Sequence, residues 1–363
     1  MVKNSSNLLG INYKDAVKDF SEKFSLIDIH THINGKEAAK LFWETAKLYG
    51  VSHVVSMTHL EELPAIKEAL EGKVTFIAIP NWRAKDKSFH FKNEYLQRVK
   101  SYYQNGAKII KFWAAPRAKD IGKDADDPEI MQLNGMYYRY GMELGASLGM
   151  IFMFHIADPD TWFKHKYKDT AFYGTKAEQY DKLFEILERY DTVPTILAHM
   201  GGWPENLKFL DNLLSAFKQV YLDTSAAKWI VREISKHSEK EVREFFTKWQ
   251  DRILFGSDIV TSDMHLKEDE EQGYEKSKQA NSPEEAFDLY ASRYWALRTL
   301  LERKYDGFSP IEDPDLYFGM EELPEKPLSP KLKGFALPEE VLKKVYFTNA
   351  KKLLRSVGEI IKG

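Results

Sequence analysis

Eight short apolar runs, separated by amphipathic stretches, constrain the fold of this chain more than any other feature. The runs are almost continuously apolar, which is typical of parallel strands that are covered on both faces. Eight strand–helix units in order, joined by right-handed crossovers, predict a closed (β/α)8 barrel of the α/β class, with a doubly wound open sheet as the alternative. The runs are Leu26–His30, His53–Met57, Val74–Ile79, Ala107–Lys111, Met150–His155, Thr195–Ala198, Val220–Asp223 and Ile253–Gly256.

The stretches between the runs carry signals for helix starts. Thr175 and Glu178 have the spacing of a capping box, in which each residue satisfies a backbone N–H of the other. Ser282 before Pro283 predicts an N-cap followed by a residue suited to the first helical turn. Pro204 predicts another helix start for the same reason. Such helices would form the outer layer of the barrel.

Two segments lie outside the eightfold pattern. Residues 1–25 precede the first run and predict an N-terminal arm with a helix around Asp15–Phe24, while residues 26–363 form the barrel as a single domain. Residues 260–337 are a long insertion after the eighth run, and they include the charged stretch Lys267–Lys278. Insertions after barrel strands lie on the catalytic face, so we expect this one to cover the site.

The composition excludes several classes of protein. A hydrophobic content of 43% allows a sizeable core, and a net charge of −3 without a long basic block argues against a nucleic-acid partner. No apolar run approaches the ~20 residues that span a bilayer, and the first residues lack a signal-peptide pattern, so we expect a cytoplasmic protein without a membrane partner. The chain has no cysteine, and any metal must therefore be held by nitrogen and oxygen ligands.

Polar side chains collect where the runs end. His30 and His32 are one residue apart on the first run, so their side chains share a face of the strand. The fourth run ends in Lys111, the fifth in His155, and His199 and Asp258 follow the sixth and the eighth. Barrel enzymes carry their chemistry at the carboxyl ends of the strands, and imidazole with carboxylate is a ligand set for a metal ion.

Cationic and aromatic residues follow other runs and could contact a substrate. Arg83 comes after the third run, Trp113 and Arg117 after the fourth, and Lys228 after the seventh. Together they suit a planar or carboxylate-bearing small molecule. The alternative is structural, with the arginines paired to nearby acids and the tryptophan packed beneath the insertion.

The order of the motifs resembles the amidohydrolase superfamily, and more narrowly its compact amidohydrolase-2 branch of metal-dependent barrel hydrolases and decarboxylases. The resemblance runs from about Leu26 to Leu354. Because its first motif begins only about 25 residues into the sequence, we expect the compact form, without the β-sandwich of larger amidohydrolases. The motifs are D-I-H-T-H, G-A-K-I-I-K-F, F-H-I-A-D-P, L-A-H-M-G-G, F-G-S-D and T-N-A-K-K-L-L.

The resemblance implies a role for each residue at the strand ends. His30, His32, His155 and Asp258 would bind one divalent metal, with Zn²⁺ expected first and Mn²⁺ or Fe²⁺ as alternatives. His199 would stand beside the metal as an acid, a base or a group that polarises the substrate. In two-metal relatives the lysine that matches Lys111 is carboxylated and bridges the ions, and His199 would then also be a ligand. We expect one metal, with Lys111 binding a substrate anion or forming a salt bridge below the site. Barrels of this kind commonly pair as homodimers.

The function implied by the resemblance is that of a hydrolase. A zinc-activated water would attack a small amide, ester or lactone, with Asp258 and His199 as the catalytic residues. The alternative is a lyase, either a non-oxidative decarboxylase or a hydratase of an aromatic or unsaturated acid, which would use the same metal site. A third hypothesis, a catalytically silent barrel that binds without turnover, predicts gaps in the ligand set, and the sequence shows none.

Overall fold

The computed structural model describes residues 4–268 and 279–361. Each of the eight predicted strands overlaps an observed one, and three further strands are present in this part of the chain. The strands are β1 Leu26–His32, β2 Val51–Ser56, β3 Val74–Ala78, β4 Ile109–Trp113, β5 Ile151–His155, β6 Thr195–Leu197, β7 Val220–Asp223, β8 Ile253–Leu254, β9 Ile259–Val260, β10 Lys304–Phe308 and β11 Lys331–Phe335.

Helices follow most strands, which gives the alternation expected of an α/β protein. They are α1 Tyr13–Ala16, α2 Lys36–Leu48, α3 Leu63–Ala69, α4 Lys87–Phe89, α5 Tyr95–Gln104, α6 Ala118–Asp124, α7 Met136–Ser147, α8 Asp160–His165, α9 Thr170–Tyr173, α10 Lys176–Arg189, the distorted turn α11 Ala198–Gly201, α12 Leu207–Ala216, α13 Ala227–Ile234, α14 Glu239–Lys248, α15 Pro283–Glu302, α16 Glu339–Lys343 and α17 Asn349–Ser356. Short 3-10 segments lie at Val17–Asp19, Leu60–Glu62, Asp263–Leu266 and Pro314–Tyr317, and π-helical segments at His90–Glu94 and Lys344–Thr348.

The chain divides into two compact units. The first comprises residues up to Val74 together with Thr224–Lys351, and the second comprises Thr75–Asp223 with Lys352–Ile361. Within the first unit, β1 pairs in parallel with β2 on one side and with β9 on the other. Within the second unit, β3 to β7 pair in parallel, each with the next along the chain.

The buried faces of the helices account for the core of each unit. On α2 the buried side chains Ala38, Phe42, Thr45 and Ala46 recur at helical spacing, so one stripe of the helix packs inward and the other faces water. The capping boxes at Thr175 and Ser238 fix the starts of α10 and α14. The predicted capping of α15 by Ser282 before Pro283 is confirmed.

Two predicted helices differ from the structure. The helix expected around Asp15–Phe24 is only the short α1 and a 3-10 turn, because Phe20 is extended and packs its ring 6.0 Å from that of Tyr49. The helix start predicted at Pro204 was wrong, since α12 begins three residues later, where the side chain of Asn206 accepts the backbone N–H of Phe209 at 3.0 Å.

The insertion after β8 contains more regular structure than its proline content suggests. β10 and β11 pair as an antiparallel hairpin that the sequence did not predict. Ten residues of the predicted charged stretch, 269–278, lie outside the described part of the chain. Among the residues that the structure describes, no helix is long and apolar enough to cross a membrane.

The buried His53 should make the fold sensitive to acid. Burial and the nearby Lys73 both disfavour the imidazolium and lower the pKa of His53 to about 4. The unfolded chain therefore takes up a proton near pH 6.5, whereas the folded chain does so only near pH 4, and the free energy of unfolding should fall as pH drops between these values. We expect this residue to contribute about 2 kcal/mol to that fall by pH 4.5.

Urea unfolding at pH 7 and pH 4.5 tests this expectation. His53→Gln, which cannot take up a proton, should lose less stability between the two pH values than the wild-type chain. Carboxylates titrate equally in both proteins, so the difference between their pH dependences reports His53. Identical pH dependences would contradict the assignment.

Candidate metal centre

Strand β1 ends in two histidines that face the same way. Side chains alternate along a strand, so Asp28, His30 and His32 share one face. His30 is buried and His32 is half-buried, and their ring centroids lie 5.8 Å apart. The strand therefore presents two imidazoles side by side at its carboxyl end.

Asp258 places a carboxylate against both imidazoles. Its Oδ1 lies 3.5 Å from Nε2 of His30 and 3.1 Å from Nε2 of His32. The short strand β9 holds this arrangement, because the backbone N–H of Asp258 donates to the carbonyl of His30 at 2.8 Å and that of Thr261 donates to the carbonyl of His32 at 2.9 Å. Asp258 thus comes to His30 and His32 through backbone pairing with β1.

The backbone of Asp258 is left-handed, with φ of +60°. This conformation costs most residues roughly 1 kcal/mol or more, although a short polar side chain such as that of aspartate tolerates it best. Non-glycine residues in this region often lie at functional sites, where the surrounding structure holds them.

The donor set around Asp258 fits a divalent metal ion. Nδ1 of His30 lies 3.0 Å from the hydroxyl of Ser225, so its Nε2 is the nitrogen that faces Asp258. Tetrahedral zinc with bonds near 2.0–2.1 Å requires its ligand atoms to stand about 3.4 Å apart, and the separations here are 3.1 and 3.5 Å. A ligand atom of His30 and one of Asp258 lie within 4.8 Å of each other, close enough to bind one ion. Nitrogen and oxygen donors suit zinc, manganese or iron.

A buried carboxylate, Asp28, lies beneath this cluster. It accepts the backbone N–H of Ser257 at 3.0 Å, the hydroxyl of Ser257 at 2.6 Å and that of Tyr294 at 2.9 Å. Burial raises the pKa of Asp28 to about 7, and these hydrogen bonds oppose the rise. Asp28 thus fixes the residue that precedes Asp258. This role of Asp28 was not predicted from the sequence, although a charged residue inside an apolar run was a signal for it.

The second unit carries the other two predicted histidines. His155 ends β5 and His199 follows β6, and their ring centroids lie 4.5 Å apart at an angle of 82°. Nε2 of His155 is 3.0 Å from Oδ1 of Asp158, and the hydroxyl of Tyr167 donates to the other oxygen of that carboxylate at 2.6 Å. Asp158 and Tyr167 are buried. Asp158 was not predicted as a site residue from the sequence, and its only signal is the spacing of three residues from His155.

The backbone after β6 turns sharply to present His199. His199 and Met200 have φ of +59° and +51°, and the backbone N–H of His199 donates to Oδ1 of Asp223 at 2.8 Å. Gly202, also left-handed, lies so close to the carbonyl oxygen of Ala157 that a Cβ there would approach it to 2.5 Å. The motif L-A-H-M-G-G therefore needs glycine at this position because no side chain fits.

The predicted substrate-binding residues have different surroundings. In the second unit, Lys111 is buried, Trp113 and Arg117 are half-buried, and Arg83 is exposed. In the first unit, Lys228 lies in the first turn of α13, where burial and the nearby Arg293 lower its pKa to about 8. Lys111 and Trp113 share a face of β4, and Trp113 is paired with His155 of β5.

Replacement of Asp158 should weaken the metal binding that is expected of His155. A carboxylate that accepts the N–H of a histidine fixes its tautomer and orientation, and loss of such a partner typically costs 10–100-fold in metal affinity or activity. We expect Asp158→Asn to lower metal affinity about 10-fold, measured by competition with a chelator. The exposed Asp181 offers the control Asp181→Asn, which should leave the affinity unchanged. Equal affinities in both variants would contradict this role.

The sequence of the chain also matches a known family. The family described as amidohydrolase (Amidohydro_2) matches residues 104–356, which is more than half of the chain. The chain belongs to the amidohydrolase-2 family. Membership confirms the predicted α/β fold of the TIM-barrel type and the predicted enzyme, of hydrolase or decarboxylase type. No curated protein matches the chain.

Solved structures give weaker likenesses. A 5-carboxyvanillate decarboxylase from Novosphingobium aromaticivorans, in complex with manganese and 4-hydroxy-3-methoxy-5-nitrobenzoic acid, is 11% identical with a TM-score of 0.42, over 92% of this chain and 97% of that one. An amidohydrolase from Burkholderia multivorans with bound HEPES is 12% identical with a TM-score of 0.43, over 92% of this chain and 99% of that one. Family membership rests on the sequence match.

Proposed function

We propose that this chain is a metal-dependent hydrolase of a small amide, ester or lactone. The observation that carries the proposal is the position of Asp258, whose carboxylate contacts Nε2 of both His30 and His32 at the end of β1. In a member of the amidohydrolase-2 family, such a set supports a metal site with a carboxylate able to move a proton. The substrate is a small molecule.

The proposed ligands share a position relative to their strands. His30, His32, His155 and Asp258 each stand at or just past the carboxyl end of a strand. Enzymes of the TIM-barrel type carry their chemistry at these ends, which supports metal binding by these residues. We propose zinc, with manganese or iron as the alternatives that the same donors accept.

Lys111 and His199 have a secondary place in the proposal. Should a second ion bind, both side chains would become ligands, with Lys111 carboxylated. With one ion, we assign His199 to proton transfer and Lys111 to the binding of a substrate anion. Measurement of metal content per chain, together with the mass of the intact protein, separates these two cases.

Residues of the chain carry out the proton transfer in this proposal. A bound divalent ion would supply a Lewis acid, which makes hydroxide available from water near neutral pH and polarises a carbonyl oxygen. Asp258 accepts the proton that the attacking water loses and returns it to the leaving nitrogen or oxygen. His199 donates a hydrogen bond to the carbonyl oxygen as negative charge develops there, which stabilises the tetrahedral intermediate. The bond from the carbonyl carbon to the leaving group then breaks.

Metal analysis combined with a substrate panel tests the proposed function. The chain, purified without chelators, should contain close to one divalent ion. It should also hydrolyse at least one member of a panel of small amides, esters and lactones, and lose that activity on treatment with a chelator. A chain without stoichiometric metal would overturn the proposal and favour a silent binding barrel.

Decarboxylation of an aromatic acid is the second candidate function. The aromatic side chains beside His155 favour it, since Trp113 lies with its ring centroid 6.5 Å from that of the histidine. In this reaction the bond to the carboxylate carbon breaks, carbon dioxide leaves, and Asp258 or His199 delivers a proton to the ring carbon. Release of carbon dioxide from benzoate-type acids, without hydrolysis of the panel, would support this candidate over the first.

The cytoplasmic location expected from the sequence and the homodimer suggested by the resemblance remain predictions. Cell fractionation tests the first of them. Light scattering on the purified chain tests the second.

A further inference from the structure

We propose that the indoles of Trp82 and Trp113 bind the planar ring of an aromatic substrate. These residues follow β3 and end β4, and both belong to the second unit. The inference rests on the proposed function only for the chemistry at the neighbouring histidines. It deepens that function by naming a substrate class, flat conjugated rings, to which an aromatic ester, a lactone or an aromatic acid can belong.

Four rings form a continuous series in this unit. The centroids of Trp82 and Trp113 lie 5.8 Å apart with their planes at 87°, and the centroid of Trp113 lies 6.5 Å from that of His155. His155 in turn lies 4.5 Å from His199. Trp113 therefore stands beside His155, a proposed metal ligand, and Trp82 stands beside Trp113.

Perpendicular indoles suit a flat ligand. An aromatic ring prefers to stack with an offset on one ring and to meet the edge of another, with centroids 4.5–7 Å apart. A corner formed by two indoles at 87° offers both contacts to one inserted ring. A saturated ring of the same size is puckered and cannot make either contact fully.

The exposure of the two indoles favours a ligand over simple packing. Phe112, the residue next to Trp113 on β4, is fully buried, as expected of an aromatic residue in the core. Trp82 and Trp113 are only half-buried. Apolar surface left in water costs roughly 25 cal/mol per Å², so large indole faces at the end of the strands gain from being covered by a substrate.

The loop that carries Trp82 is fixed by hydrogen bonds. The backbone N–H of Asn81 donates to Nε2 of His90 at 2.9 Å, and the other ring nitrogen of His90 lies 3.0 Å from Glu94. Burial lowers the pKa of His90, which keeps the ring neutral and able to accept that bond. On the other side, the hydroxyl of Tyr138 donates to the carbonyl of Trp113 at 3.0 Å. A held pair of rings loses little entropy when a ligand binds.

Paired acids of equal charge test this inference. Calorimetric titration of the full, metal-loaded chain with benzoate and with cyclohexanecarboxylate compares a flat ring with a puckered one. A metal ion contributes equally to both, since both carry one carboxylate. We expect benzoate to bind about 3- to 10-fold more tightly, the range measured for aromatic pairs.

Variants assign the preference to the indoles. Trp82→Leu and Trp113→Leu should each abolish most of the preference and leave the affinity for cyclohexanecarboxylate within about 2-fold. Trp82→Phe and Trp113→Phe, which keep a flat ring, should retain most of it. The control is Trp249→Leu, at the end of α14 on the amino side of β8, which should behave like the wild-type chain.

Several outcomes would overturn the inference. They are equal affinity of the wild-type chain for both acids, no binding of benzoate, or an equal loss of both acids in the leucine variants. A chain that takes up no stoichiometric metal when metal is supplied, but still prefers benzoate, would support the indole site and refute the proposed function. A chain that holds metal and hydrolyses its substrate without preferring flat ligands would refute the indole site alone.

Discussion

Asp258→Asn should retain its metal and lose turnover by a factor of about 10² to 10⁴, the usual contribution of a positioned acid or base. The amide keeps the size of the carboxylate and one oxygen that can serve as a ligand, but it does not accept a proton from water near neutral pH. Asparagine also tolerates the left-handed backbone found at this position, with φ of +60°, so the fold should persist. Metal content and the turnover number of the same preparation provide the measurement.

A matched control separates loss of the carboxylate from general damage. Asp306→Asn makes the same change at an exposed position on β10 and should leave both quantities unchanged. Full turnover in Asp258→Asn would refute the role of Asp258 in proton transfer. Loss of metal from that variant would instead assign Asp258 mainly to metal binding.

The second large effect is expected at His30. His30→Ala removes an imidazole from the cluster and leaves the carboxylate of Asp258 with one histidine of the pair. We expect metal content to fall from near one ion per chain to below about a tenth under dialysis, with turnover lost in proportion. Excess metal should restore part of the activity, because the remaining ligands still bind weakly.

His237→Ala is the control for this experiment. His237 is a half-buried histidine just past α13 and should affect neither metal content nor turnover when it is replaced. Retention of a full ion by His30→Ala would show that the ligands lie elsewhere. The proposal would then lose its central observation even if the chain proved to be a hydrolase.

The sequence could predict features that follow from the regular spacing of apolar and polar residues along the chain. Each apolar run overlaps a strand, and the alternation of side chains along β1 was enough to place His30 and His32 on one face. The contact of Asp258 with both was expected from the resemblance, and the extra strand β9 that brings it there was not predicted. Two residues offer too weak a pattern for a strand to be recognised.

Features that depend on distant partners could not be predicted in the same way. Asp28 is held by Ser257 and Tyr294, which are more than 200 residues away along the chain. Phe20 leaves the expected helix because its ring packs against Tyr49, which outweighs the local preference for helix. The left-handed backbone of His199 had only an indirect signal, the pair of glycines that follows it.

The hydrogen bond from Tyr294 to Asp28 has a consequence for protein engineering. Tyr294 belongs to α15, within the segment that interrupts the regular repeat after β8, yet it serves the carboxylate beneath the two histidines of β1. A shortened chain without that segment would leave the buried carboxyl group of Asp28 with one hydrogen-bond donor fewer, next to the residues expected to bind the ion. The insertion after β8 therefore cannot be deleted or exchanged between relatives without a cost to the site. Any chimera should carry the tyrosine along with the strand that it supports.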